Sequence, residues 1–396
     1  MPGLTETVNL NPEPIDRFLY KRLIMDENNL ENFNEQVNTD TTVENPNKKL
    51  NIISIILIIA ISVGLTIYMV NVDGIDNIIN LLKSVDYKWV LGGVGILILW
   101  FICDALTLHL PLKTMYKDQK FSTSFRIAMI GQLFNNITPF ASGGQPMQAY
   151  ELTKYGRRAS DAMSAMTMKF IMTQSALAFF TTVIILAQFT FLKDLMSNYL
   201  WVVVISFIVN LLAIIFVFLA GINKNIIVTI CKPFIKLGTK MHIVKNYENT
   251  IGKIDSSVGN FSTQFKNMKH YPKTIISIFV LAIIQSMLYY SITYVVYRAF
   301  GNDGVSYFQI VPAQAILLLI MTFIPTPGSG IGAEGGFLLI FNSLFKQGTI
   351  NMSILFWRLY TFYLPIIVGA FCMIPRKKST FGDTSQKYGK KHNTNN

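Results

Sequence analysis

Charge is scarce in this sequence. Asp, Glu, Lys and Arg make up 14% of its 396 residues, where a soluble protein carries about a quarter. Hydrophobic residues make up 51%, and they gather in runs long enough to cross a bilayer. That excludes an ordinary soluble domain and points to an all-α polytopic membrane protein. Cysteine is nearly absent. Cys103, Cys231 and Cys372 form no CxxC, so a disulfide framework and a zinc cluster are excluded, and all three read as small buried hydrophobes. There is no GxxxxGK[ST], no GxGxxG following a strand, no HExxH and no GxSxG. Nucleotide hydrolysis, dinucleotide chemistry and proteolysis therefore have no seat. We expect no catalytic residue, no cofactor and no metal. A cleavable signal peptide is also missing, because the first apolar run starts near Ile52, behind a polar segment.

Negative charge is scarcer than positive. The formal net charge is +12. In a membrane protein this reports the positive-inside rule and contact with anionic lipid at a basic cytoplasmic face, not nucleic-acid binding.

Residues 1–50 form a polar tail; Asp40–Asn47 reads as a disordered linker. Ile15, Phe18, Leu19 and Leu23 lie at helical spacing beside Arg17, Lys21 and Arg22, so a short interfacial helix and a floppy tail both fit. Six spans are expected, at roughly 51–70, 89–110, 160–189, 199–221, 274–300 and 352–374. Trp89 and Trp100 serve as aromatic anchors of span two. A basic tail follows from 376 to 396. The insert 222–273 carries Val244, Tyr247, Ile251, Ile254, Val258, Phe261, Phe265 and Met268 at alternating spacings of three and four. This predicts a lone amphipathic helix, packed on the bundle or lying on lipid.

Two stretches break the apolar pattern: Phe134-Asn-Asn-Ile-Thr-Pro-Phe-Ala-Ser-Gly-Gly-Gln-Pro-Met-Gln148 and Phe323-Ile-Pro-Thr-Pro-Gly-Ser-Gly-Ile-Gly-Ala-Glu-Gly-Gly336. A shift of 188 residues places Thr138-Pro139 on Thr326-Pro327 and Gly144 on Gly332. Irregular backbone at membrane depth is tolerated only where it is buried in protein or lines a cavity. Counting Lys and Arg at the span ends gives 21 on one set of flanks and 4 on the other, which makes the first set, with both termini, cytoplasmic. The count alternates only if both broken segments are re-entrant, returning to the side they entered from, one from each side. Each half then has three spans, and the halves are inverted, as in alternating-access transporters.

Proline and glycine in these segments end one half-helix and start another. The freed N–H groups should attract an anion such as a lipid phosphate. Candidate binding residues are Asn136, Thr138, Pro139, Ser142, Gly143, Gly144, Gln145 and Gln148 in the first segment. In the second they are Pro325, Thr326, Pro327, Gly328, Gly332, Glu334 and Gly335. Gly328, Gly332 and Gly336 form one small face for close helix contact. Asp104, Lys169 and Glu334 are ionisable groups inside apolar segments, which default to paired or functional roles. Asp104 could pair with Lys169, and Lys169 with Glu334 as a gate. His109 reads as interfacial, and Arg298 and Arg358 as snorkelling near span ends.

On Thr138-Pro-Phe-Ala-Ser-Gly-Gly-Gln-Pro-Met-Gln-Ala-Tyr150 and Phe323 to Phe337, the chain resembles the lysylphosphatidylglycerol synthase transmembrane region, over roughly 50–375. That region is the flippase half of the bacterial multiple peptide resistance factor and also occurs alone. Members often read Ser-Gly-Gly-Ala-Glu in the second motif, where this chain has Gly330-Ile331 in place of Ser-Gly. Many carry Glu where it has Gln145. The resemblance implies translocation of a membrane phospholipid or lipid-linked headgroup, in a bacterial cytoplasmic membrane. About twenty polar residues follow Ile374, too few to hold the family's aminoacyltransferase domain. Two alternatives are the membrane component of a phosphatidylglycerol lysyltransferase, tied to cationic peptide resistance, and a non-transporting scaffold. A homo-oligomer stays open.

Overall fold

The computed structural model describes residues 75–197, 200–240, 246–321 and 330–374. Among them there is no strand. The helices in chain order are α1 (Ile75–Ser84), α2 (Tyr87–Met115), α3 (Phe121–Ile137), α4 (Gly144–Lys154), α5 (Ala159–Ala187), α6 (Phe189–Leu195) and α7 (Leu200–Ile222). They continue with α8 (Lys224–Lys240), α9 (Tyr247–Asn267), α10 (Pro272–Ala299), α11 (Tyr307–Met321), α12 (Gly330–Phe341), α13 (Ile350–Arg358) and α14 (Leu364–Met373). A π-helical turn, Leu359–Tyr363, joins α13 to α14.

Among the described residues, five stretches are long and apolar enough to cross a membrane: Tyr87–Met115, Ala159–Ala187, Val203–Ile222, Pro272–Ala299 and Ile350–Met373. They match expected spans two to six. Span one, the polar tails and the segment around Ile15 lie outside the described residues. α7 turns Trp201, Ile205 and Leu212 outward, each more than half exposed. An apolar surface of that extent suits a lipid solvent rather than water.

The most extensively packed helix pair is α2 with α10. The two run antiparallel. Asp86, whose carboxylate caps the start of α2 by accepting from Lys88 N, donates its own N–H to Ala299 O at the end of α10, at 3.0 Å. At the other end Thr114 Oγ1 lies 3.1 Å from Thr274 Oγ1. Further contacts sort the loops onto two ends of the bundle. At one end Arg126 Nε and Nη2 donate to Cys372 O and Ile374 O (2.7 and 3.1 Å), and Nη1 donates to Tyr155 Oη. A cation there also meets the negative end of α14. Arg157 forks onto Asp118, and Tyr116 donates to Asp161 Oδ2. That guanidinium's hydrogen bonds hold the exposed Asp118 carboxyl below its usual range. At the other end Lys346 N donates to Asn302 Oδ1 at 2.7 Å, and Lys346 Nζ reaches Gly301 O. The described loops 116–126, 155–161 and 372–374 thus gather at one end, and 300–307 and 342–349 at the other. α3 starts and α4 finishes at the first end. α11 starts and α12 finishes at the second, where Tyr307 bonds Ser291 and Phe345 packs edge-on against Tyr297.

The insert is not a lone helix. α8 and α9 pack on one another, and α9 also packs on α7 and α5. Phe261 and Phe265 of the stripe join Met168, Ile171, Met268 and Ile278 in one cluster. Gly221 leaves room for the Phe265 ring, which a side chain there would strike. Ser262 Oγ donates to Gly221 O at 2.8 Å, and Lys224 Nζ stands 2.9 Å from Asp255. The sequence carried a second signal for α8 in Ile226, Ile230, Phe234 and Leu237. Val244 lies outside the described residues. Of the cysteines, Cys103 is buried as expected, whereas Cys231 and Cys372 are partly exposed.

Candidate functional site

The core face of α2 repeats Leu97, Phe101, Ala105, Leu108 and Leu112 at helical spacing. Asp104 sits beside that row, 3% exposed. A carboxylate so placed is costly unless paired and hydrogen-bonded. Three other helices supply its partners. Lys169 Nζ of α5 lies 2.9 Å from Asp104 Oδ1 and donates to Asp104 O at 3.3 Å. Gln132 Nε2 of α3 donates to Oδ2 at 3.0 Å, and Gln285 Nε2 of α10 to Oδ1 at 3.3 Å. Asp104 and Lys169 are therefore a pair, one of the two pairings the sequence left open.

The pair faces a cavity of about 410 Å³, within the range of small-ligand sites. α2 contributes Trp100 and Asp104, α3 Gln132 and Asn135, and α4 Gln145 and Gln148. α5 contributes Lys169, Thr173 and Gln174, and α10 Gln285, Tyr289 and Tyr290, with Leu318 from α11. Trp100, expected as an interfacial anchor, lines this cavity and packs against Tyr289 with centroids 6.1 Å apart.

The turn between α3 and α4 forms another wall through Phe140 and Ala141. Both are left-handed, at φ 54° and 51°, a region costing about 1–2 kcal/mol for a residue with a Cβ. Side chains on either side hold it. Thr138 Oγ1 donates to Phe134 O and accepts from Gly143 N; Asn135 Oδ1 accepts from Gly144 N at 3.0 Å; Ser142 Oγ donates to Pro139 O. Gly143 and Gly144 admit no Cβ, which would strike Thr138 and Asn135 respectively. Asn136 Nδ2 donates to Gln132 O. This corrects one expectation. The amides of Gly143 and Gly144, expected free for an anion, are already bonded to Thr138 and Asn135. Asn136, Thr138, Pro139, Ser142, Gly143 and Gly144 build the turn, while Gln145 and Gln148 line the cavity.

In the second half, Pro325, Thr326, Pro327 and Gly328 lie outside the described residues. Gly332 is buried and Gly335 exposed. Gly336 faces Leu317 of α11. Glu334 does not meet Lys169. Its partner is Arg358, whose Nε lies 3.3 Å from Glu334 Oε1. Arg358 is 3% exposed, with Trp357 and Phe362 rings 5.4 and 5.3 Å away. The expectation that Arg358 snorkels is overturned: it lies between α12 and the π-turn, too far inside for its head to reach water. His109 bonds Ser124 near the end of α2.

Sequence reasoning missed Gln132, Asn135, Gln174 and Gln285. An amide inside an apolar span was the available signal. No group of His, Cys, Asp or Glu able to hold a metal exists among the described residues.

Two curated proteins are similar to this chain. A UPF0104 membrane protein of Methanothermobacter thermautotrophicus is 21% identical over 295 residues, covering 72% of this chain and 84% of that protein. A UPF0104 membrane protein of Methanocaldococcus jannaschii is 25% identical over 323 residues, covering 77% and 90%. The family model described as "Lysylphosphatidylglycerol synthase TM region" matches residues 55–369, and the chain belongs to that family.

Proposed function

We propose that this multi-pass membrane protein moves a lipid headgroup between leaflets. The observation that carries the reading is the polar cavity around Asp104 and Lys169, set among helices whose outer surfaces are apolar. A hydrated headgroup needs such a polar shelter while its acyl chains stay in lipid. The antiparallel packing of α2 on α10 supports two inverted halves. So do the helix pairs α3–α4 and α11–α12, which open at opposite ends of the bundle. In this reading each pair is a re-entrant hairpin, and the end bearing Arg126, Arg157 and the insert is cytoplasmic. The protein then sits in a bacterial cytoplasmic membrane with both termini inside, its basic face on anionic lipid. The substrate is a phospholipid or a lipid-linked headgroup.

The test is full-length protein in liposomes carrying acyl-labelled lipid, with dithionite bleaching the outer leaflet. Protein-dependent bleaching of inner-leaflet label is expected; a rate equal to that of protein-free liposomes overturns the reading. The family's name favours a second reading, a membrane component of lysyl-phosphatidylglycerol synthesis. Lysyl-phosphatidylglycerol made in cells expressing this chain alone would support it.

A further inference from the structure

We infer that the cavity takes an uncharged, polyhydroxylated headgroup, a glycosyl or polyol lipid, rather than one recognised by its charge. This deepens the flippase reading and rests on it.

The first ground is charge. Among the described residues, the charged ones lining the cavity are Asp104 and Lys169, and they neutralise one another at 2.9 Å. A phosphate or an ammonium held there would lose its water and gain no full counter-charge.

The second ground is the direction of the hydrogen bonds. Gln132 and Gln285 both donate their amide nitrogens to Asp104, and Gln148 turns its nitrogen toward Ala128 O at 3.5 Å. Their carbonyl oxygens are left as acceptors. Asn135 is the reverse: its oxygen accepts from Gly144 N, leaving Nδ2 as a donor. Gln145 and Gln174 line the cavity and are exposed in it, with no side-chain hydrogen bond among the described residues. The wall therefore mixes acceptors with donors. A phosphodiester offers only acceptors and an ammonium only donors, whereas a hydroxyl does both.

The third ground is shape. Trp100 and Tyr289 stand together on the wall. Such rings pack well against the C–H faces of a sugar while polar groups grip its edge.

The experiment compares acyl-labelled glucosyl-diacylglycerol, phosphatidylglycerol and lysyl-phosphatidylglycerol in liposomes with the full chain. Glucosyl lipid is expected to move about tenfold faster than either charged lipid, the size of one or two net hydrogen bonds. Gln145→Leu with Gln174→Leu should slow the glucosyl lipid more than either charged lipid and so remove that preference. Equal rates, or lysyl-phosphatidylglycerol moving fastest, overturn the inference but leave the flippase reading standing. Movement of no lipid overturns the flippase reading. The headgroup class is then decided by binding in phosphatidylglycerol nanodiscs, read by Trp fluorescence. Octyl glucoside should quench it at lower concentration than octyl phosphocholine, in a way the double variant abolishes. Equal quenching by both overturns the inference.

Discussion

Arg358 and Glu334 form a pair 24 residues apart, joining α13 to α12 at 3.3 Å. Removing one partner strands the other. We expect Arg358→Leu to destabilise the protein by about 3–5 kcal/mol, the cost of breaking a buried pair. Glu334→Gln should cost less, because its amide oxygen still accepts from Arg358. Replacing both, Glu334→Gln with Arg358→Met, should recover most of the loss, whereas Lys169→Met should not rescue Glu334→Gln. Thermal unfolding in one detergent checks all four. Rescue by Lys169→Met would contradict the observed partnership.

Phe265 joins the insert to the bundle. Its ring meets Phe218 edge-on at 5.8 Å and fills the space beside Gly221. Phe265→Ala should cost roughly 1.5–3 kcal/mol in apolar burial and make α8 and α9 more open to protease. Ile254→Glu with Phe261→Glu should do the same by placing charge in the stripe. Unchanged proteolysis of 224–267 would mean that α9 does not depend on this contact.

Topology can be mapped with single cysteines after Cys103, Cys231 and Cys372 are replaced. Asn302 is unsuitable, because it is 1% exposed and its side chain bonds Tyr297 O and Lys346 N. Asp303 is next to it and exposed. We expect Asp303→Cys to label from outside and Lys266→Cys from the cytoplasm. Labelling of both from one side would end the inverted arrangement.

The spans could be read from sequence because the hydrocarbon core demands about twenty apolar residues in a row, and Pro272–Ala299 supplies them. The sorting of loops could also be read, because Lys and Arg at positions such as Lys113 and Arg126 report which end they occupy. The pairings could not. From sequence the protein partner open to Glu334 is Lys169, with Arg358 read as snorkelling; helix rotation turns Glu334 to Arg358 instead. Spacing does not reveal it: Arg358 lies near the start of the span expected at 352–374, and only the packing of α13 on α12 shows that its head turns inward to Glu334. The amides were hidden for a similar reason. Gln132 and Gln285 are 153 positions apart, and only packing brings both onto Asp104. The helix N-terminus misled because the residues that cap it, Asn135 and Thr138, belong to the preceding helix and turn.

Asp104 and Lys169 provide the sharpest test of whether the cavity is a pathway or a piece of scaffold. Lys169→Met alone leaves the Asp104 carboxylate with only Gln132 and Gln285, so we expect poor folding, at a cost of about 3–5 kcal/mol. Asp104→Asn with Lys169→Met removes both charges and keeps the shape, and should fold close to wild type. If the pair only holds α2 against α5, this double variant will flip lipid normally. If the pair shapes a path for the headgroup, the charges also hold Gln132 and Gln285 in place. Their loss should then slow flipping by about tenfold or more at unchanged protein level, the signature of an interaction used in passage rather than in stability. Liposome flipping and thermal unfolding measured on the same preparation separate the two. Normal flipping by the stable double variant would make Asp104 and Lys169 structural residues, and the headgroup path would have to lie elsewhere.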